Sequence, residues 1–218
     1  DNNGQLQLHK DKEALEAYLN GPVAKRLRKF NSIEERLEYL VKHDYYKCFQ
    51  GFMYSIEDIK SIYEFIKSKN FKFQSYMSAS KFYENYALKS NDGKEILETY
   101  EDKVLIVALE LGAGDIKSAK DIAEKLINQE FQPATPTFLN AGRKRAGEMV
   151  SCFLLNVEDS CEGISYAVAA SNHLSKIGGG VALNLTRLRA SNEPIKNIKN
   201  ASGGVMGVAK MLEQSFSY

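Results

Sequence analysis

The clearest indication of fold class lies in residues 149–185, MVSCFLLNVEDSCEGISYAVAASNHLSKIGGGVALNL. Met149–Asn156 is a short apolar run that predicts a buried strand, and Val181–Leu185 predicts a second one. A helical pattern separates them, and strand, helix and strand within about 40 residues are typical of a parallel βαβ unit. Two strands alone do not form a stable parallel sheet, so we expect the natural chain to continue past Tyr218.

The segment between the two strands predicts a helix with defined ends. Asp159 or Ser160 can cap its first turn, and the helix should run to about Lys176. Gly178–Gly180 then breaks it, because glycine adopts the positive φ that commonly ends a helix. The same glycines could instead let the backbone approach a ligand closely, although they match neither a Walker loop nor GxGxxG. Farther along, Gly204–Ser215 predicts another helix.

Upstream of residue 141 the composition predicts a helical domain. Of the 23 Phe and Tyr residues, 19 precede that point, and no proline lies between Pro22 and Pro133. Of the 15 glycines, nine lie at or after Gly142, where strands and loops are expected. We therefore predict a helical N-terminal domain over residues 1–145 and an incomplete α/β domain over 146–218.

Helix start signals divide the N-terminal domain. Ser32 and Ser55 each stand three residues before an acidic residue, which is a capping-box pattern, and Asp115 can cap a later helix. Asp102–Leu111 is apolar nearly all round, so it predicts a central buried helix. Ser80–Lys89 places aromatic residues at helical spacing and predicts a further helix.

The overall composition excludes several classes of protein. Lys and Arg total 29 against 28 Asp and Glu, and this balance argues against a nucleic-acid coat or a basic membrane-surface protein. No apolar run reaches the ~18 residues of a membrane span, and the N-terminus lacks a signal-peptide pattern. Three cysteines are too few to staple this chain, which indicates a reducing, cytoplasmic setting. With no CxxC and three separated histidines, we expect no metal site.

Three segments could carry chemistry, and each has a structural alternative. Ser151 and Cys152 are either a small buried pair or a redox site. Thr135 lies in Phe131–Asn140, which has two prolines in four residues and should not be helical. That segment is either a rigid turn or a binding site in which a hydroxyl and backbone N–H groups contact a polar ligand. The remaining two cysteines, Cys48 and Cys161, are interpreted as packing residues.

The third segment is charged. Asp159 is either an N-cap or a ligand contact. Arg187, Arg189 and Lys196 form a small basic cluster that is either a solvated face or a phosphate site, for which arginine is well suited.

Three motifs in a fixed order resemble the large subunit of class I ribonucleotide reductase, most closely its class Ib branch. They are FQPATPTFLNAG (131–142), GEMVSCFLL (147–155) and LSKIGGGVALNLTRLRA (174–190). The run from Tyr76 to Ala79 and the C-terminal GGVMGVAKMLEQSFSY also look like that branch. The resemblance implies an α/β protein whose helical N-terminal domain leads into the first strands of a ten-stranded α/β barrel.

The resemblance also implies roles for individual residues. Cys152 matches one cysteine of a redox-active pair that reduces ribonucleoside diphosphates to deoxyribonucleoside diphosphates by thiyl-radical chemistry. Thr135, Ser151, Cys152 and Gly180 match substrate-binding positions. The positions that match the allosteric effector site, which controls substrate specificity, are Asp159, Arg189 and Lys196.

The family's ligands and partners follow from the same resemblance. Effectors would be dTTP, dATP, dGTP and ATP with Mg²⁺, and the partner small subunit would hold a di-manganese or di-iron tyrosyl radical. We also expect a homodimer of large subunits and a glutaredoxin-like protein or thioredoxin as reductant, with no nucleic acid or membrane partner. The radical cysteine and the second redox cysteine would lie downstream, so the 218-residue chain alone should be inactive.

Two alternatives remain open at this point. A cobalamin-dependent class II reductase shares the redox-cysteine strand, although the N-terminal match favours class Ib. A split or truncated non-catalytic module that binds nucleotides or promotes dimerisation is the alternative from a different functional class.

Overall fold

The computed structural model describes residues 8–145 and 147–217 and divides the chain into two compact units. The first, residues 1–146, is called the helical unit, and the second, residues 147–218, is called the sheet unit. Within the described residues, no helix combines the length and apolar character needed to cross a membrane.

The helical unit consists of short and medium helices joined by turns and longer loops. Its α-helices are α1 (Leu8–Tyr18), α2 (Ala24–Arg26), α3 (Ile33–Lys42), α4 (Ile56–Ser68), α5 (Tyr76–Lys81), α6 (Tyr100–Gly112), α7 (Ile116–Ile127) and α8 (Thr135–Asn140). Two single π-helical turns follow α1 and α5, over Leu19–Val23 and Phe82–Tyr86. The predicted caps are confirmed: Ser32, Ser55 and Asp115 accept backbone N–H bonds at the starts of α3, α4 and α7.

Helix α6 is the centre of the helical unit. Its residues from Val104 to Leu109 are buried, which confirms the predicted central helix. Helix α7 packs closely on it, since a Cβ on Gly112 would lie 2.8 Å from the Cβ of Ala119. Glycine at this crossing therefore sets the distance between the two helices. The helix ends at Ala113, which takes the left-handed conformation.

A buried ionic cluster packs beside α6. The Glu98 carboxylate accepts hydrogen bonds from the Tyr46 hydroxyl and from the Leu88 backbone N–H, the latter at 2.7 Å. The same carboxylate lies 3.1 Å from Lys103 Nζ. Arg143 Nη2 lies 3.7 Å from the same carboxylate. Burial lowers the pKa of Lys103 to about 8, against the opposing effect of Glu98. The cluster thus fixes Arg143, near the end of the unit, against the central helix.

Two predictions for the helical unit are wrong. Phe131–Asn140 was expected to be non-helical, but Thr135–Asn140 forms α8, with Pro136 in the first turn. A proline there costs little because the first N–H groups of a helix have no intrahelical acceptor. The helix expected over Ser80–Lys89 instead starts at Tyr76, where Ser75 caps α5 in a capping box, and it ends in the π turn.

The sheet unit contains the predicted βαβ arrangement. Its elements are β1 (Cys152–Asn156), α9 (Cys161–Lys176), β2 (Gly180–Asn184) and α10 (Val205–Ser215). The two strands are parallel, with Cys152 opposite Gly180 and Asn156 opposite Asn184. Full burial of the first strand was predicted and is wrong, since Leu154 is 83% exposed. Each strand has one face toward α9 and one exposed face, as the period of two requires.

The turn between α9 and β2 has the predicted glycine character. Gly178 has a φ of 93°, the left-handed conformation that ends a helix. A Cβ on Gly179 would lie 2.2 Å from the Phe153 ring, so only glycine lets this turn pass over β1. Ser160, not Asp159, caps α9, because its Oγ accepts the Gly163 N–H at 2.9 Å.

Candidate functional site

The starts of the two strands bring three of the candidate residues together. Cys152 pairs with Gly180 across the strands, and the Gly180 N–H donates to the Ser151 carbonyl at 2.8 Å. The Ser151 hydroxyl donates to Cys152 Sγ at 3.5 Å. A Cβ on Gly180 would meet only the Ser151 carbonyl, at 3.6 Å, so packing does not demand glycine here. The glycine instead leaves backbone accessible beside the thiol.

The cysteines are more exposed than the sequence suggested. Cys48, Cys152 and Cys161 are all free and exposed. The interpretation of Cys48 and Cys161 as packing residues is therefore wrong, and Ser151 with Cys152 is not a buried pair. An exposed thiol can be reached by a substrate or by another thiol, which exchange chemistry requires.

Thr135 is the one candidate residue in the helical unit. It is the first residue of α8 and is exposed, and its Oγ1 lies 3.1 Å from the Tyr86 hydroxyl oxygen. Sequence reasoning assigned Tyr86 only to the aromatic spacing of a predicted helix and missed its contact with Thr135, which lies 49 residues downstream.

The three candidate effector residues line one cavity in the sheet unit. The cavity has a volume of about 490 Å³. Arg189 Nε donates to Asp159 Oδ2 at 2.6 Å, and Nη2 reaches the Asp159 carbonyl at 3.4 Å. Lys196 lines the same space. Because Ser160 caps α9, the Asp159 side chain is left to hold Arg189.

Lys196 reaches the cavity from a tight turn. Lys196 and Asn197 both have positive φ, 47° and 68°, and Ile195 and Ile198 exchange backbone hydrogen bonds of 3.1 and 2.9 Å on either side of them. Two successive positive φ values are the pattern of a type I′ turn, in which Asn is favoured. The turn presents the Lys196 side chain to the cavity.

Other parts of the cavity wall were missed. The first turn of α9 contributes Cys161 and Glu162, and the loop before α10 contributes Ser202 and Gly203. The backbone N–H groups at the start of α9 are suited to an anionic ligand. The Gly203-Gly204 pair was the available sequence signal, but two adjacent glycines do not identify a ligand by themselves.

The cavity carries charges of both signs. Asp159 pairs with Arg189, whereas Lys196 has no carboxylate within ion-pair distance among the described residues and shares the wall with Glu162. Neighbouring Arg187 pairs with Glu158 and does not line the cavity. A ligand with a phosphate group and a hydroxyl-bearing group would find a complement for each. In the described ranges, no three His, Cys, Asp or Glu side chains are arranged to hold a metal ion.

Three family models together match nearly the whole chain. The ribonucleotide reductase N-terminal model matches residues 1–71, the all-alpha domain model residues 72–146, and the barrel domain model residues 150–218. This chain belongs to the ribonucleotide reductase family. It comprises the helical N-terminal region of a reductase alpha subunit followed by the start of the barrel domain.

Individual reductases are closely similar. The ribonucleoside-diphosphate reductase subunit alpha of Bacillus subtilis (strain 168) is 52% identical over 215 residues, which are 99% of this chain and 31% of that protein. The subunit alpha of Mycoplasma pneumoniae is 47% identical, over 95% of this chain and 29% of that protein. The large chain from Encephalitozoon cuniculi is 26% identical, over 86% of this chain and 24% of that protein. The chain thus spans less than a third of the length of these reductase subunits.

Proposed function

We propose that this chain is part of the alpha subunit of a class Ib ribonucleoside-diphosphate reductase, which makes deoxyribonucleoside diphosphates for DNA synthesis. The observation that carries the proposal is the exposed Cys152 thiol, directly opposite Gly180 at the start of two parallel strands. Relatives that bear the reductase name at 46–53% identity support it. The domains would span residues 1–145 and 146–218, with the rest of a ten-stranded barrel supplied downstream.

Cys152 would supply one of two reducing thiols. In the overall reaction the ribose C2′–O bond breaks, the oxygen leaves as water, and C2′ gains a hydrogen. Two thiols together lose two hydrogen atoms and become a disulfide, so atoms and electrons balance. A downstream cysteine would be the partner of Cys152, and a thiyl radical on another would abstract the 3′ hydrogen. A glutaredoxin-like protein or thioredoxin would reset the disulfide by exchange.

Four residues are proposed as substrate contacts, Thr135 in the helical unit and three in the sheet unit. Cys152 would act on the ribose, and accessible backbone at Gly180 would let the nucleotide come close. The hydroxyl of Thr135 would donate a hydrogen bond to a polar group of the ribonucleoside diphosphate, and that of Ser151 would do so on turning away from Cys152 Sγ.

The test of the reductase role is Cys152→Ser in the complete reductase that carries this sequence. Multiple-turnover reduction should be lost, because serine cannot form the disulfide. Cys48→Ser is the matched control, since Cys48 is also an exposed free thiol but lies in the helical unit. Its turnover should stay within about twofold of the parent. Near-normal turnover of Cys152→Ser would refute the role given to Cys152.

The cavity at Asp159, Arg189 and Lys196 would bind the specificity effector. Its mixed charge supports a nucleoside triphosphate, with Lys196 toward phosphate and Asp159 toward the sugar or base. The effectors would be dTTP, dATP, dGTP and ATP, bound with Mg²⁺. Calorimetry with dTTP on Asp159→Ala tests this, with about tenfold weaker binding expected. Glu158→Ala is the neighbouring acidic control outside the cavity, and unchanged affinity of Asp159→Ala would refute the assignment.

The partners follow from the same proposal. A small subunit with a di-manganese or di-iron tyrosyl radical would initiate the chemistry, and two alpha subunits would form the dimer in the cytoplasm. Activity that requires this small subunit rather than adenosylcobalamin would distinguish class Ib from class II.

One observation favours a second candidate function. The residues that line the Asp159 cavity all belong to the sheet unit, whereas the proposed redox chemistry would need a second cysteine downstream. A non-catalytic module that binds nucleotides or promotes dimerisation would therefore retain this site. Sedimentation with and without dTTP tests the dimerisation role, and a strict monomer in both conditions would contradict it.

A further inference from the structure

A tyrosine of the helical unit touches the candidate substrate residue Thr135. The hydroxyl oxygen of Tyr86 lies 3.1 Å from Thr135 Oγ1. Thr135 is exposed and Tyr86 is partly buried, so Tyr86 contacts Thr135 on the side that faces away from solvent. A threonine hydroxyl on the surface can otherwise rotate to suit any partner.

Tyr86 is itself held at two points. Its ring packs edge-to-face on Phe138 of α8, with ring centroids 5.7 Å apart. Its carbonyl accepts a 2.8 Å bond from Arg143 Nη2, and Arg143 also faces the buried carboxylate of Glu98. The position of the Tyr86 hydroxyl is therefore fixed by a buried ionic cluster and by the helix that carries Thr135.

We propose that Tyr86 is a positioning residue for the reductase substrate, acting through Thr135. This rests on the proposed role of Thr135 as a substrate contact. A nucleoside diphosphate presents acceptor oxygens, so the Thr135 hydroxyl must donate to them. Tyr86 therefore donates its own hydrogen to Thr135 Oγ1, which turns the Thr135 hydrogen outward and strengthens its donor character.

The expected kinetic signature is specific. The Thr135 contact is made to a non-reacting part of the substrate, so it should hold the ground state and the transition state alike. Loss of such uniform binding raises KM and leaves kcat unchanged. The loss of one neutral hydrogen bond corresponds to about a three- to tenfold rise in KM.

The experiment is a double-mutant cycle in the complete reductase, with a ribonucleoside diphosphate as substrate. Tyr86→Phe keeps the ring on Phe138 and removes only the hydroxyl, and Thr135→Val removes its partner. Each should raise KM with kcat near the parent value, and the double variant should be no worse than Thr135→Val alone. Thr135→Ser should keep KM near that of the parent, because it retains the hydroxyl.

Tyr45→Phe is the matched control. The Tyr45 hydroxyl accepts a 3.2 Å bond from the Asn91 N–H in the same unit, with no link to Thr135, and its loss should leave KM unchanged. If Thr135→Val raises KM and Tyr86→Phe does not, the positioning role is wrong and the substrate role of Thr135 stands. Additive effects would also overturn the positioning role. If Thr135→Val leaves KM unchanged, the proposed substrate contact fails, and the inference fails with it.

Discussion

Arg189 donates two hydrogen bonds to Asp159. Its Nε lies 2.6 Å from the carboxylate Oδ2, and its Nη2 lies 3.4 Å from the main-chain carbonyl oxygen. Its Nη1 also donates to the Pro194 carbonyl at 3.3 Å. One guanidinium therefore joins the segment before α9 to the loop before the Lys196 turn. The planar fork of arginine suits this task, which a lysine could not perform.

Removal of Arg189 should weaken effector binding, because it removes both a positive charge and the hydrogen bonds that hold Asp159 and the Pro194 loop in place. Arg189→Ala leaves Asp159 unpaired and frees the loop at Pro194, so we expect dTTP affinity to fall about 10–100-fold. Arg187→Ala is the matched control, because Arg187 pairs with Glu158 and does not line the cavity. Calorimetry measures both variants. Equal losses in the two would indicate general electrostatics rather than a site at Arg189.

Cys161 offers a direct probe of cavity occupancy. Its exposed thiol lines the cavity at the first turn of α9. A nucleotide in the cavity should block alkylation, and dTTP at ten times its Kd should slow the reaction about tenfold. Peptide mass spectrometry after iodoacetamide treatment follows the rate. Cys48 is the internal control in the helical unit, and equal modification rates at Cys161 with and without dTTP would contradict binding there.

Short sequence patterns were sufficient to predict most of the secondary structure. Strands β1 and β2, helix α9 and the caps at Ser32 and Ser55 were predicted because each depends on residues adjacent in sequence. Helix α8 does not follow from the sequence pattern, because two prolines in four residues argue against a helix, although Pro136 occupies a first turn where proline is tolerated.

Long-range relationships were not predictable in the same way. The apolar pattern of β1 predicted burial, yet Leu154 is exposed. The alternation of side chains along a strand shows which residues share a face, but it does not show whether another element covers that face. The family resemblance suggested that Asp159, Arg189 and Lys196 act together, but not that Arg189 holds Pro194. The aromatic spacing over Ser80–Lys89 placed Tyr86 in a predicted helix, but no local pattern connects it with Thr135.

The buried carboxylate of Glu98 should dominate the stability of the helical unit. Glu98→Gln leaves Lys103 and Arg143 without their shared counter-charge, so the free energy of unfolding should fall by about 3–5 kcal/mol. Urea unfolding followed by circular dichroism measures the loss. Glu95→Gln breaks the exposed pair with Arg28 and should cost about 0–1 kcal/mol. Similar small losses in both variants would mean that the buried cluster contributes little.

Lys103 should make this stability depend on alkaline pH. Burial lowers its pKa in the folded chain to about 8 from an ordinary value of 10.5. Between pH 8 and 10.5, Lys103 binds more protons in the unfolded chain than in the folded chain. Its contribution to the free energy of unfolding therefore increases as pH rises, and this contribution is lost as pH falls through 8. Lys103→Met removes the titrating group. The difference in unfolding free energy between parent and variant should therefore shift toward the parent from pH 8 to pH 10, by up to about 1.4 kcal/mol per pH unit. Tyr63 and Tyr83, whose pKa values are raised by burial, contribute alike to parent and variant and cancel in this comparison. A difference that stays constant over this range would show that Lys103 titrates normally despite its burial.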